Sequence, residues 1–463
     1  MNNIGNAAMG NTNSSNTTDT LARYVTDATL NDIPEDVRAE SRRALLNFVG
    51  CALGGAKHEA MDITLAALSA YSGGGEAQAL GRPEKISPSL AALLNGISSH
   101  VEDYDDTTPN NYIHATSPVA AALFAHASVQ KITGADLELA LILGFEVISR
   151  IGNATYPAHY DAGWHSTGSI GVFGSAASIG RVLGLSHQQM VWALALGGTQ
   201  SAGVREMFGS MAKSFHPGRS AQSGYAAALL ARQGFTAGEQ ILEGPRGFAA
   251  VQAGTYDLSI VTKELGTQFA LRGNTYKPFP CGLVIHPIID ACIQVRSEHA
   301  FDPLAIDKVK LYVAPRVKDL CDKKLVTTGL EGKFSAYHGA AIGLIRGKGG
   351  LAEFTDEAAV DPALVRVRER TEVIVDETVT PDGVHVEVCF NDGQSYTKTL
   401  EHSIGNLAKP LSNSQLEGKF REQAAVLGIS TASTDQLIDA CWNIEQVPDI
   451  SHLISLATPH KKA

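Results

Sequence analysis

Runs of small residues across positions 168–234 constrain the fold of this 463-residue chain more than any other feature. Three segments, GSIGVFGSAASIGRVLGL, VWALALGGTQSAG and SAQSGYAAALLARQG, are dense in Gly, Ala and Ser. Small side chains let neighbouring helices approach closely, because the distance between helix axes depends on the side chains at the contact. The sequence therefore predicts a core built from many closely packed helices.

Helix-start signals place the first elements of this core. The segment Asp32-Ile-Pro-Glu35 resembles a capping box with Pro in the first turn. It leads into a helix with Leu45, Phe48, Val49 and Ala52 on one face. Further helices are predicted to begin at Ser87-Pro88 (running to about His100), at Ser117-Pro118 and at Gly134-Ala-Asp136.

The pattern changes near residue 270. Residues 308–313 alternate polar and apolar side chains, which is the period of a strand, and residues 370–375 form a short β-branched run. Residues 384–390, the turn Asn391-Asp392-Gly393 and residues 394–399 predict a β-hairpin. After Pro410 the helical pattern returns.

The fold class predicted from these patterns is mostly α. A large helical domain comprises residues 21–270 and 406–463, and a smaller α+β lid domain comprises residues 271–405. The first 20 residues are rich in Asn, Ser, Thr and Gly and lack a basic and an apolar segment. They are predicted to be a disordered tail and not a signal peptide.

Composition excludes several classes of protein. Hydrophobic residues make up 44% of the chain and charged residues 18%, which is typical of a globular protein. The net charge of −11 argues against a nucleic-acid partner. The most apolar stretch, residues 137–148, is too short to span a membrane. We predict a cytoplasmic protein without membrane partners.

The six cysteines are spread singly and form no CxxC pair, so we expect buried thiols and no zinc or iron–sulfur site. The glycine clusters lack the GxGxxG and GxxxxGK(S/T) patterns, so no nucleotide or flavin cofactor is expected. The acidic run at residues 102–106 leaves one alternative open, because clustered carboxylates also bind divalent cations. The lysines and histidines elsewhere favour an anion-binding site instead.

Candidate functional residues lie in loops dense with Gly and Pro, where binding and catalytic groups are concentrated. Each histidine alone is more often a helix cap or a core group, and each lysine is more often a surface residue. The apolar neighbours of the two lysines indicate partial burial. Five segments stand out: EDYDDT with HATSP, GWHSTG, MAKSFHPGR, YKPFPCGLVIH and FSAYH.

Taken together and in this order, the segments resemble the MmgE/PrpD family over nearly the whole chain after residue 20. The family includes 2-methylcitrate dehydratases, cis-aconitate decarboxylases and an iminodisuccinate epimerase. The resemblance implies a helical domain plus a smaller α+β lid with the active site between them. The active-site positions implied by the matching motifs are Asp103, Thr107, His114, His165, Lys213, Lys277, His286 and Tyr337.

Within that site, acid–base chemistry beside a carboxylate requires fixed cations and a group that titrates near neutrality. We assign Lys213 and Lys277 to charge stabilisation, with His114 as a further donor. His165 and Tyr337 are assigned to proton transfer, Tyr337 reaching the site on lid closure. Substrate binding is assigned to five residues: Asp103, Thr107, His216, Arg219 and His286.

The predicted function is that of a metal-free, cofactor-independent lyase for a small polycarboxylic acid, acting as a homodimer. Two alternatives remain: an epimerase of an iminodisuccinate-type dicarboxylate, and a non-catalytic polycarboxylate-binding protein. Two residues depart from the family pattern. Some decarboxylases carry a histidine one position after the residue that is Cys281 here, where this chain has Gly282, and Arg219 stands where relatives often have a smaller residue.

Overall fold

A computed structural model describes residues 16–459 of the chain. The protein is 59% helical and contains one small sheet in this range, so the predicted mostly-α fold is confirmed. The longer helices are α1 (Thr17–Asp27), α2 (Glu35–Gly55), α3 (Glu59–Ser72), α4 (Pro88–Val101), α5 (Thr116–Ala127), α6 (Gly134–Thr155), α7 (Ser166–Val182), α8 (His187–Gly198), α9 (Ala212–Arg232), α10 (His286–Glu298), α11 (Ala336–Arg346), α12 (Pro362–Arg370), α13 (Asn413–Leu427) and α14 (Thr431–Trp442). Shorter helices are Ala158–Asp161, Phe248–Gln252, Ser259–Thr262, Pro315–Cys321, Gly329–Gly332, Asp356–Val360 and Ser451–Leu456.

Helix α9 is central to the helical core, where it packs against α4, α7 and α8. The contact with α4 is close because glycines face each other: a Cβ atom on Gly96 would lie 2.4 Å from the Cα atom of Gly218. Such a distance is sterically forbidden, so neither position accepts a larger residue without moving the helices apart. The small residues that predicted a dense helical core serve this packing.

The C-terminal helices return to this same core. Helix α13 packs along α2, and α14 also contacts α2. One apolar core contains buried residues from Leu21 to Tyr276 and from Leu411 to Ala457, and a second core contains buried residues from Phe279 to Leu400. Along the chain, the first core gives way to the second between Tyr276 and Phe279, and the second gives way to the first between Leu400 and Leu411. Both changes lie close to the predicted domain boundaries at 270 and 405, which themselves stay a prediction.

The second core is built on a four-stranded sheet with the order β2-β1-β3-β4, formed by β1 (Ile306–Val313), β2 (Thr371–Val375), β3 (Val384–Phe390) and β4 (Ser395–Leu400). Strands β1 and β2 are parallel, and the other pairs are antiparallel. The predicted hairpin is confirmed: Val384, Val386, Val388 and Phe390 are all buried on one face of β3. Helices α10 and α11 pack against each other, and α10 lies on β3 and β4.

The structure moves one predicted boundary. Residues 1–20 were predicted to be a disordered tail. Residues 1–15 of this tail lie outside the described residues, but helix α1 already begins at Thr17. Leu21 and Val25 of this helix are fully buried, and the Thr18 hydroxyl donates to Glu243 Oε2 at 2.5 Å. Anchoring of this first turn by a distant glutamate is invisible in a polar tail sequence. In the described range, no helix has the length and apolarity needed to cross a membrane.

Candidate active site

A cavity lies where the helical core meets the first residues of the second core. It is lined by residues from both parts: Asp103, Thr107, Tyr112, His114, Tyr160, His165, Phe208, Lys213, Lys277, Gly282, Leu283, Val284, Leu320, Cys321 and Phe334. Six of the ten residues assigned from sequence are among them: Asp103, Thr107, His114, His165, Lys213 and Lys277.

Asp103 is the centre of the charged part of the cavity. It follows the end of α4 and has a left-handed backbone (φ 51°), which Asp tolerates better than most residues. A backbone bridge between Thr107 and Thr275 joins its loop to the segment of Lys277. The Oδ1 atom of Asp103 accepts hydrogen bonds from Lys213 Nζ at 2.6 Å and from Lys277 Nζ at 2.8 Å.

The two lysines differ in how they are held. Lys277 Nζ also donates to the backbone oxygens of Asp103 (3.2 Å) and Cys281 (3.0 Å), so three acceptors engage its ammonium group. Among residues 16–459, Asp103 is the one acceptor for Lys213, whose Nζ otherwise faces the rings of Phe208 and Phe334, 5.3 Å from each centroid. Lys213 therefore retains N–H groups for a ligand in the cavity.

Burial acts on the pKa of both lysines, but the outcome differs. For Lys213 the loss of solvation dominates over the attraction of Asp103, and its pKa lies below the usual value. For Lys277 the loss of solvation is outweighed by Asp103, Asp105 and the hydrogen bonds, and its pKa is raised. Asp103 itself has a pKa well below the usual value, because two ammonium groups offset its burial.

A second carboxylate, Asp105, orients the histidines beside this cluster. Its Oδ2 atom lies 2.8 Å from His100 Nδ1, and its Oδ1 atom lies 3.2 Å from His114 Nδ1. The two imidazoles hold the pKa of Asp105 well below its usual value despite complete burial. His114 Nδ1 hydrogen-bonds the Thr107 hydroxyl at 3.1 Å and lies beside Asp105, which leaves its Nε2 atom for the cavity.

His165 lies at the N-terminus of α7 and contacts a second histidine. Its Nδ1 atom lies 2.8 Å from Nδ1 of His216, and its ring meets Phe208 edge-on at a centroid distance of 5.1 Å. Burial, together with the charges of His216 and Lys213, lowers the pKa of His165 well below the usual value. The ring is therefore neutral at pH 7.

Lys419 supports the site from helix α13. Its Nζ atom donates to Asn47 Oδ1 (2.7 Å), to the backbone oxygen of Tyr104 (2.5 Å) and to that of Lys277 (3.0 Å). It also lies 3.8 Å from the ring centroid of Tyr104. One buried ammonium group thus joins the segment of Asp103 to the segment of Lys277.

Four residues assigned from sequence do not line the cavity, and their roles stay predictions. The Tyr337 hydroxyl donates to Asp322 Oδ1 at 2.7 Å. His286 is buried behind the wall, with Nε2 3.3 Å from the backbone oxygen of Cys281. His216 lies behind His165, and Arg219 shares with it a separate cavity.

Sequence reasoning missed His100, Phe208, Phe334 and Lys419 as parts of the site. His100 stands three residues before Asp103, so a histidine at the end of a helix next to an acidic run was an available signal. Phe208 occupies an unremarkable loop position, and Phe334 begins the FSAYH segment, in which only Tyr337 was assigned a role. Lys419 sits in LEGKFREQ, which reads as the solvated face of a helix.

The group His100, Asp103, Asp105 and His114 has the geometry to hold a metal ion. Its occupied partners argue against a cation there. Two ammonium groups lie within 2.8 Å of Asp103 Oδ1 and would repel such a cation. The same ammonium groups favour an anion.

Family comparisons agree with this architecture. The model for the MmgE/PrpD N-terminal domain matches residues 19–261, and the model for the MmgE/PrpD C-terminal domain matches residues 279–444. The chain belongs to the MmgE/PrpD family, which confirms the resemblance carried by the five sequence segments. The C-terminal match runs past residue 405 into helices that pack on the first core.

Several curated proteins are similar along nearly their whole length. The cis-aconitate decarboxylase-like protein oryM of Aspergillus oryzae is 26% identical over 472 residues, covering 95% of this chain and 97% of its own. The cis-aconitate decarboxylase of Homo sapiens is 26% identical (95% and 94% covered), and that of Aspergillus terreus is 24% identical (96% and 96% covered). These relatives agree with the prediction of an enzyme of the lyase class.

Proposed function

We propose that the protein is a lyase that removes CO₂ or water from a small polycarboxylic acid by acid–base catalysis. The observation that carries the proposal is the cluster in which Lys213, Asp103 and Lys277 face the same cavity as a neutral His165. Family membership and relatives named cis-aconitate decarboxylases support the choice of substrate class.

Lys213 is the residue proposed to bind the substrate carboxylate. Its N–H groups that do not engage Asp103 are directed between Phe208 and Phe334, in a buried and apolar environment. Charge that develops on a carboxylate in the transition state is stabilised most strongly by a fixed cation in such a water-poor site. Lys277, with three protein acceptors, holds Asp103 and contributes its charge from behind.

The reaction requires proton transfer in either form. When CO₂ leaves a carboxymethyl group next to a C=C bond, the C–C electron pair forms a new C=C bond. The π electron pair of the original C=C bond moves to the carbon that bears a second carboxylate, and that carbon takes up one proton. When water leaves, a base removes a proton from carbon, the electron pair forms C=C, and the hydroxyl group departs with a proton from an acid. His165 is proposed to make the transfer at carbon.

The residue Gly282 favours a reaction other than decarboxylation as the second candidate. It lines the cavity at the position where some decarboxylases of the family carry a histidine, and a Cβ atom there would lie 3.1 Å from Cys321 Sγ. The chain therefore has no side chain at a position where the family resemblance implies a histidine in some decarboxylases. This observation favours dehydration, or epimerisation of an amino-dicarboxylate, as the alternative to decarboxylation.

A substrate screen followed by ¹H and ¹³C NMR in D₂O tests the proposal. We expect one of cis-aconitate, 2-methylcitrate, citrate and iminodisuccinate-type compounds to be converted, with solvent deuterium incorporated next to a carboxylate. CO₂ release, water loss or inversion without loss then identifies the reaction. Binding of these acids without conversion or exchange would instead support a non-catalytic binding protein.

We further propose that catalysis needs no metal ion and that the protein works as a cytoplasmic homodimer. Turnover is expected to survive exhaustive treatment with EDTA, because the two lysines already provide the positive charge that a metal would supply. Activity lost with EDTA and restored by Mg²⁺ or Fe²⁺ would place a metal on the group of His100, Asp103, Asp105 and His114. Sedimentation analysis tests the dimer.

A further inference from the structure

Two cavities of the helical core are joined by a pair of histidines. His165 lines the active-site cavity. His216 lines a second cavity together with Gln200, Val204, Phe215 and Arg219. Val204 and Phe215 are exposed by 43% and 42%, so this second cavity opens at the surface of the chain. The contact between the cavities is the 2.8 Å approach of the two Nδ1 atoms.

An approach of two imidazole Nδ1 atoms to 2.8 Å requires one proton between them. Two bare nitrogens would repel each other, and two N–H groups would clash. Each ring is neutral at pH 7, because burial and the nearby charge of Lys213 lower the pKa of both, that of His216 to about 4. The pair therefore exists in two complementary states, in which one ring has its proton on Nδ1 and the other on Nε2.

The position of His216 is fixed by two glycines. A Cβ atom on Gly168 would lie 3.0 Å from Cβ of His216, and one on Gly203 would lie 3.2 Å from its Cγ. Gly203 also has a positive φ of 116°, and its backbone oxygen accepts from the backbone N–H of His165 at 3.1 Å. Gly203 therefore contacts both histidines and fixes the position of one ring relative to the other.

We propose that His165 and His216 form a proton relay between the active-site cavity and the surface cavity. The inference rests on the proposed acid–base function and specifies how its proton is exchanged with solvent. His216 was assigned to substrate binding from sequence, whereas this geometry makes it a positioning and relay residue that acts through His165.

Proton balance in the relay is simple. In the base state His165 has a bare Nε2 and donates its Nδ1 proton to His216. When Nε2 removes a proton from substrate carbon, the Nδ1 proton passes to His216 Nδ1, and the Nε2 proton of His216 leaves to solvent. The pair is then in the acid state, with a proton on His165 Nε2, and donation to carbon followed by uptake at His216 Nε2 restores the base state.

The variant His216→Asn tests the relay. The amide oxygen of Asn can accept from His165 Nδ1–H, but it cannot pass the proton on. We expect turnover to fall about tenfold, less than the ~10²–10⁴-fold of the acid–base step itself, and to recover with added imidazole that enters the surface cavity. His126→Asn is the matched control, because His126 is buried, also has its pKa lowered to about 4 and lines neither cavity.

Long-range ¹H–¹⁵N NMR of the wild-type enzyme gives a measurement that does not depend on a variant. The expected result is one ring with its proton on Nδ1 and one with its proton on Nε2. Two rings of the same tautomer, or a His216→Asn enzyme with unchanged turnover, would overturn the relay. If no polycarboxylate is converted although the rings are complementary, the proposed function fails while the shared proton stands.

Discussion

The two walls of the active-site cavity are built from different kinds of residue. The wall from the helical core presents Asp103, His114, His165 and Lys213, with Lys277 at its edge, and each of these has a polar partner within 3.2 Å. The wall from the second core presents Gly282, Leu283, Val284, Leu320, Cys321 and Phe334. The helical wall also presents Tyr112, Tyr160 and Phe208, so all the charged and proton-transfer groups belong to one wall, while the other wall contributes only shape and exclusion of water.

The largest expected effect comes from His165, the proton-transfer group of the charged wall. His165→Ala is expected to lower kcat by about 10³-fold, within the ~10²–10⁴-fold range of general acid–base catalysis. Solvent deuterium exchange into the substrate should disappear together with turnover. Measurement of both rates in His126→Ala controls for the loss of a buried imidazole. Exchange that persists in His165→Ala would move the base to His114.

Replacement of the lysines should have the next largest effect and should separate their roles. Lys213→Ala and Lys277→Ala are each expected to lower kcat by about 10²-fold, as removal of one transition-state donor does. Lys277→Ala should also lower the melting temperature more than Lys213→Ala does, because it removes three buried hydrogen bonds whereas Lys213→Ala removes one. The exposed Lys323 provides a matched Lys→Ala control. Near wild-type rates in both pocket variants would remove the anion site from the charged wall.

Asp103 sharpens the comparison through the pH profile. Activity needs a charged Lys213, whose pKa lies below the usual value, so the alkaline limb of kcat should fall below the ordinary lysine range. Asp103 raises this pKa, and Asp103→Asn removes that contribution. The limb should therefore move to lower pH by about one unit or more, since a charge at this distance shifts a pKa by ~1–3 units. An unmoved limb would show that another group titrates there.

The smallest effect is expected in the second core. Tyr337 was assigned to proton transfer from sequence, but its hydroxyl binds Asp322 and does not line the cavity. Tyr337→Phe removes one oxygen atom, and we expect kcat to change by less than about tenfold, below the range for an acid–base group. A larger fall in kcat with unchanged KM would support the predicted lid closure. It would also show that a residue of the second core takes part in proton transfer.

Sequence reasoning succeeded where the signal is local. The β3–β4 hairpin follows from the alternation of Val384, Val386 and Val388 before a turn with Gly393, whose φ is 86°. The helical content follows in the same way from caps and apolar spacing. The Gly- and Pro-rich loops also indicated where most of the charged wall would lie.

Contacts made across the fold could not be predicted from the sequence. The pairing of His165 with His216 depends on how closely α7 approaches α9, and the role of His100 depends on the turn that brings Asp105 back to it. The placement of Tyr337 away from the cavity depends on its contact with Asp322. Side-chain type and spacing carry no information about these distances.

Lys419 has a consequence for the biosynthesis of the protein. The backbone oxygens of Tyr104 and Lys277 are held by an ammonium group that belongs to helix α13, close to the end of the chain. At ~5–20 residues per second, the ribosome needs roughly 7–30 s to extend the chain from Lys277 to Lys419. During that interval the segments of Asp103 and Lys277 are exposed to the cell without their brace. The nascent chain therefore cannot complete its site before Lys419 has been added, and a truncated product that ends before α13 is expected to be inactive even with every cavity residue present.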